Sequence, residues 1–132
     1  MSALSTENGQ IARRLWKSAS EGSPDSVLDF HPEVVWRTYG QGPNAGEFLG
    51  IDAVLEYLEH FGSRAEDLRL DLVDVFSSDE GAVIQYRVQA NRGPKDLENY
   101  AFLKLDILDG VVTDATVVPF DQEKGAAFWR FD

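Results

Sequence analysis

Asp121 is the acid best placed for chemistry, because it follows the apolar run Val117-Val118-Pro119-Phe120. A carboxyl at the lip of a cavity has its pKa raised by desolvation, toward the range useful for a general acid or base. The same position also suits a helix N-cap ahead of Gln122-Glu123-Lys124, and both readings stand. Around it the sequence offers neutral polar groups: Trp36 and Thr38 two apart on a strand-like run, Tyr86 in an apolar row, and Asn99 two residues before Ala101. Such groups hold a ligand by ring contact and hydrogen bonding without supplying a base. Trp36 either walls a cavity or fills a core, and Asn99 either orients a ligand carbonyl or hydroxyl or satisfies a nearby loop. Tyr57 and Phe61, one helical turn apart, either roof a cavity or pack as core. The Tyr86 phenol needs a partner, for which Asn99 and Asp121 are the candidates. His31 and His60 have no second ligand at metal spacing, so neither a metal nor another cofactor is called for.

The elements that must position these groups follow from hydrophobic period. Ile11, Leu15 and Ala19 share one face of a helix over Thr6 to about Ser20. Ser23 as N-cap and Pro24 at the first helical position open a short second helix carrying Val27, Leu28 and Phe30, stopped by His31-Pro32. "EVVWRTY" reads as a strand, with a short return at Glu47–Leu49. Ile51, Val54, Leu55, Leu58 and Phe61 define a third helix, which Gly62 closes.

Beyond it the period becomes two, in "DLRLDL", "AVIQYRVQA", "LENYAFLKL" and Val111 to Phe120. The joints "SSDEG", "RGPKD" and "LDG" are hairpin turns. Asp74 breaks the Leu68, Leu70, Leu72 row, so either it faces inward or a β-bulge hands the inner face to Val73 and Val75. "DQEKGAAFWRF" closes the chain as a short helix whose Phe128 and Trp129 pack back on the body. Helices followed by a meander give an α+β fold with the helices on one sheet face, and a long bent sheet under few helices leaves room for a cavity.

Composition narrows the partners. One domain spanning 1–132, 43% hydrophobic, carries 23 acidic against 12 basic residues, a formal charge of -11. That balance repels nucleic acid and anionic lipid, and the acidic excess is a solvated outer surface. No cysteine is present, so neither a disulfide frame nor a thiolate nucleophile is available. Neither a signal-peptide pattern nor an eighteen-residue apolar run occurs, which points to a soluble cytoplasmic protein without membrane partners.

The order of elements, with "DFHPEVVW", "GEFLGIDAVLEYL", "LVDVFSSDEGAVIQYRV", "LDGVV" and "PFDQEKGAAFW", resembles the nuclear transport factor two-like superfamily, in its SnoaL-like and ketosteroid-isomerase-like branch. The resemblance implies a cone: a curved antiparallel sheet wrapped around three N-terminal helices, with a short C-terminal helix and an apolar pocket at the wide end. It also implies a homodimer through the sheet, to which Tyr100 and Phe102 on the outer face would contribute. Members include steroid isomerases, polyketide cyclases, epoxide hydrolases, dehydratases and proteins without a known reaction, so fold alone does not choose.

Steroid-type isomerisation needs a carboxylate base, a tyrosine and a protonated aspartate. The matching positions fall at Thr38, near Leu15 and near Ala101, and none supplies its group. An Asp-Arg-Asp water-activating relay of the epoxide hydrolases would have to use Asp74, Arg87 and Asp121, yet Arg87 alternates out of phase with the apolar row. The reading that follows is a pocket for a mostly apolar metabolite, either a cofactor-independent isomerase, cyclase, dehydratase or hydrolase, or a non-catalytic binding or dimerisation module. Its site residues are Trp36, Thr38, Tyr57, Phe61, Tyr86 and Asn99 for the ligand and Asp121 for catalysis.

Overall fold

The computed structural model describes residues 2–21, 29–40, 44–63 and 65–130, with side chains except at 61–63. Its elements are α1 (Ala3–Ser20), β1 (Phe30–Thr38), β2 (Gly46–Leu49), α2 (Ile51–Ser63), β3 (Glu66–Ser78), β4 (Gly81–Arg92), β5 (Lys95–Leu108), β6 (Val111–Pro119) and α3 (Gln122–Trp129). The helix expected from Ser23 lies outside the described residues apart from Asp29, in a turn, and Phe30, which instead opens β1. α1 starts nearly a turn earlier than its apolar spacing indicates. Ser2 caps it, its Oγ accepting the Ser5 N–H at 3.0 Å, which satisfies an otherwise orphan donor.

The six strands form one curved sheet in the order β2-β1-β6-β5-β4-β3. β3 through β6 are the meander that alternation and turn residues anticipate, antiparallel throughout. In the β5–β6 turn Asp109 and Gly110 both have positive φ, 51° and 79°, as a two-residue hairpin loop of the I′ kind requires. The joint that local patterning does not reveal is the parallel pairing of β1 with β6, which brings Trp36 beside Ala115 and Thr38 beside Val117. The architecture is an α+β cone whose sheet is mixed.

The bulge in β3 is present: the register with β4 shifts between Leu72 and Asp74. It turns Val75 onto the core, while Val73, 49% exposed, is the extra residue and stays outside. Asp74 is exposed and accepts the Val75 N–H, so it is on the outer side. On the inner face, Ile11, Ala12 and Leu15 of α1 pack against Ile84, Leu103 and Leu105 at the narrow end of the cone. Full burial of residues such as Ile84, Leu105 and Val54 contributes on the order of 1.5–3 kcal/mol each. A second cluster, Val88, Ala90, Leu97, Phe128 and Trp129, docks α3 onto β4 and β5 near the wide end. Between the two clusters the sheet outruns its helical cover.

Candidate functional site

The gap is a cavity of about 600 Å³, bounded by β1, β3, β4, β5 and β6 and by α1, α2 and α3. Its wall is mainly apolar: Leu15 and Trp16 from α1, Leu68, Leu70 and Val88 from the sheet, Leu58 from α2, and Ala126 and Trp129 from α3. Of the residues expected at the site, Trp36, Thr38, Tyr57, Tyr86 and Asn99 all line it. The Phe61 side chain lies outside the described residues. Asp121 is elsewhere. It is exposed, and its carboxylate accepts the Lys124 N–H at 2.9 Å, so the side chain is engaged as the N-cap of α3 and is not among the cavity's lining residues.

The polar groups on the β1 side form a directed chain. The Asn44 carbonyl can only accept, so the Tyr57 hydroxyl donates to it, at 3.2 Å. The Thr38 hydroxyl therefore donates to the Tyr57 oxygen, at 3.0 Å, and the Trp36 Nε1–H donates to Thr38 Oγ1, at 3.2 Å. Strand parity sets this up, since Trp36 and Thr38 lie two apart on the inner face while Tyr57 reaches down from α2. Ring contacts buttress it: the Tyr57 centroid lies 4.2 Å from Phe48 and 6.2 Å from Trp36. Burial raises the Tyr57 pKa, opposed by the hydrogen bond from Thr38.

Tyr86 is different. Its ring packs against Trp16, with centroids 5.0 Å apart, but no hydrogen bond from the described residues reaches its hydroxyl. Neither Asn99 nor Asp121 is the partner that sequence suggested. Burial pushes its pKa far up, Tyr57 adding to the effect, so the phenol is neutral at physiological pH and keeps its proton. Asn99 is occupied by the chain itself. Its Oδ1 accepts the Tyr100 N–H at 2.9 Å and the Asp121 N–H at 3.3 Å, and its Nδ2 donates to the Asp121 carbonyl at 3.0 Å. It thus ties β5 to the β6–α3 joint, the structural alternative that its type allowed.

Among the described residues the lining contains no Lys, Arg or His, and its single carboxylate is the exposed Glu59. No group of three His, Cys, Asp or Glu that could hold a metal occurs among them. Leu15, Thr38 and Ala101, the positions where isomerase groups would stand, all face the cavity, and none has a carboxyl or phenol. The Asp-Arg-Asp relay is not assembled either: Arg87 is on the outer face, bound to Asp71 at 2.9 Å. The residues that sequence reasoning missed are Trp16, Trp129 and Asn44. Trp16 adjoins Leu15 one step off the helix stripe, a signal in hindsight, whereas Asn44 gives none because its backbone carbonyl is what matters.

An open cone with a mostly apolar hollow and a few neutral polar tips defines the pocket-bearing class of α+β folds to which nuclear transport factor two-like proteins belong. The chain is a member of the SnoaL-like domain family, whose model matches residues 12–132. No curated protein matches by sequence. Among solved structures it is similar to Bal32a from a soil-derived mobile gene cassette, with 24% identity, a TM-score of 0.90 and coverage of 96% of this chain and 99% of that one. A putative SnoaL-like polyketide cyclase from Jannaschia sp. CCS1 is 12% identical, covers 100% and 98%, and has a TM-score of 0.80. TerC, co-crystallised with polyporic acid, is 16% identical, covers 92% and 97%, and has a TM-score of 0.79. At these identities the likeness is one of fold. No helix among the described residues is long and apolar enough to cross a membrane.

Proposed function

We propose that the protein is a receptor for a neutral, mostly apolar, ring-bearing small molecule held in the cavity. The observation that carries this reading is the Tyr86 hydroxyl, which has no hydrogen-bond partner among the described residues and lies in a mostly apolar hollow of about 600 Å³, within the size range of metabolite pockets. Aromatic faces on Trp16, Trp36 and Tyr57 suit a flat ring system. The absence of a cation among the described lining residues, together with a formal charge of -11, disfavours an anion. The cyclase named among similar structures and the co-crystallised TerC support a small-molecule site on this fold. The test uses two fluorescent probes, neutral Nile red and anionic anilinonaphthalene sulfonate. Nile red is expected to bind saturably at one site per chain and to quench the tryptophans, all three of which line the cavity. No saturable Nile red binding, or tighter binding of the anion, sinks the proposal.

A second reading, conversion of the bound molecule by a cofactor-independent isomerase, cyclase or hydrolase, rests on the same phenol. A neutral donor at a carbonyl stabilises developing negative charge there. It predicts turnover that Tyr86→Phe abolishes while binding persists, and it fails if the variant turns over normally.

We also propose a homodimer through the outer sheet face. There Phe120, 53% exposed, stacks with Phe102 at 4.9 Å and Tyr100 at 5.9 Å. The Arg37–Asp114 and Arg87–Asp71 pairs flank this patch, so the surface carries both charge signs and suits a second copy of itself. Light scattering is expected to give a dimer that Phe102→Lys converts to monomer, and a monomeric wild type refutes this.

A further inference from the structure

The hydrogen bonds that the cavity makes with itself restrict what it can still offer a ligand, and this gives its two sides opposite polarity. On β1, Thr38 Oγ1 receives a proton from Trp36 and gives its own to Tyr57. The order is fixed because the chain ends on the Asn44 carbonyl, which cannot donate. Thr38 therefore faces the hollow with a lone pair and no hydrogen. On β4 and β5 the situation is reversed. The Tyr86 hydroxyl has no acceptor among the described residues, and Asn99, whose Oδ1 already takes two backbone N–H groups, has only its second Nδ2 hydrogen left to contribute. Tyr86 and Asn99 are diagonal neighbours on the inner face, since Tyr86 pairs with Ala101 and Val88 with Asn99. In the order β1-β6-β5-β4, Tyr86 stands three strand spacings from Thr38 and Asn99 two, roughly 14 Å and 10 Å along a flat sheet and less across a curved one.

We infer that the ligand carries a hydrogen-bond acceptor such as a carbonyl at the end facing Tyr86 and Asn99, and a hydroxyl or N–H donor at the opposite end facing Thr38. This rests on the receptor reading above and deepens it. A carboxylate at the acceptor end would meet no cation among the described lining residues, so the acceptor is neutral. A ligand with acceptors at both ends would set its second one against the Thr38 lone pair and leave it unsatisfied.

The probes are 4′-hydroxyflavone, which has a carbonyl at one end and a hydroxyl at the other, flavone, which lacks the hydroxyl, and flavone-4′-carboxylic acid. Equilibrium dialysis at pH 6 keeps the phenol protonated and the acid ionised. Wild type is expected to prefer 4′-hydroxyflavone over flavone by about tenfold, the effect of one well-placed hydrogen bond in a desolvated site, and to bind the acid more weakly than flavone. Thr38→Val is expected to bring the hydroxyflavone-to-flavone ratio close to one, whereas Thr38→Ser, which retains the oxygen, keeps the preference. Tyr86→Phe should weaken both neutral probes by a similar factor, because both present the same carbonyl. If flavone binds but the hydroxyl earns no preference, or if Thr38→Val keeps the ratio in a folded protein, the polarity inference is overturned while the receptor reading survives. If no flavone binds wild type, the receptor reading fails and the inference falls with it.

Discussion

Removing a single oxygen at Tyr86 should affect the ligand-free fold quite differently from the same change at Tyr57. Tyr86→Phe deletes a hydroxyl that makes no hydrogen bond with the described residues and that burial has stripped of part of its hydration. The loss is therefore neutral or stabilising, between 0 and about +1 kcal/mol. Tyr57→Phe removes both the donation to the Asn44 carbonyl and the acceptance from Thr38. At about 0.5–1.5 kcal/mol each, that is a destabilisation of about 1–3 kcal/mol. For 132 residues the entropy of unfolding is about 0.28 kcal/mol per kelvin, so 1 kcal/mol moves Tm by about 3.6 °C. Differential scanning calorimetry without ligand should find Tyr86→Phe within 0 to about 4 °C above wild type and Tyr57→Phe about 4–11 °C below it. A drop for Tyr86→Phe equal to that for Tyr57→Phe would refute the reasoning, since it would mean that Tyr86 holds a structural hydrogen bond and is not an open tip.

Three further outcomes follow from the same geometry. A Cβ at Gly81 would stand 1.9 Å from the Leu105 carbonyl oxygen, so Gly81→Ala must part β4 from β5 and is expected to lower stability by at least about 3 kcal/mol in denaturant titration. Asp121→Ala should cost about 1 kcal/mol through the lost N-cap of α3 while leaving Nile red affinity unchanged, and Asp121→Asn should keep most of that stability. Burial holds the pKa values of Tyr57 and Tyr86 above 10, so the folded chain retains protons that the unfolded chain releases. Stability should therefore be intact below about pH 10 and decline as pH rises further, with phenolate absorbance from these two tyrosines appearing only as the fold opens.

Strand parity made the cavity wall legible. Once "EVVWRTY" is a strand, Trp36 and Thr38 share a face, and the alternation in β4 and β5 puts Tyr86 and Asn99 on theirs. The bulge in β3 is legible too, because an acid interrupting a leucine row on a half-buried strand is more stable turned outward, but of the two valines expected on the inner face only Val75 is there and Val73 is outside. What stayed hidden depends on contacts between segments distant in sequence. The parallel seam of β1 and β6 joins residues nearly eighty positions apart. Asp121 shows the limit most clearly: an N-cap aspartate and a cavity-mouth aspartate read identically along the chain, and only the Lys124 N–H at 2.9 Å distinguishes them. Asn99 likewise lines the cavity as parity requires, yet its oxygen and one amide hydrogen are engaged by the Tyr100 and Asp121 backbone. The Ser2 cap is not legible from hydrophobic period, because it acts through a backbone N–H three residues on.

The most direct test of the account is a crystal structure of the protein with 4′-hydroxyflavone. The ring system is expected in the hollow against Trp16 and Trp36, with its carbonyl oxygen within hydrogen-bonding distance of the Tyr86 hydroxyl and its phenol on Thr38. Density for the flavone on the outer sheet face, or a hollow closed by repacked side chains with the flavone excluded, would contradict it.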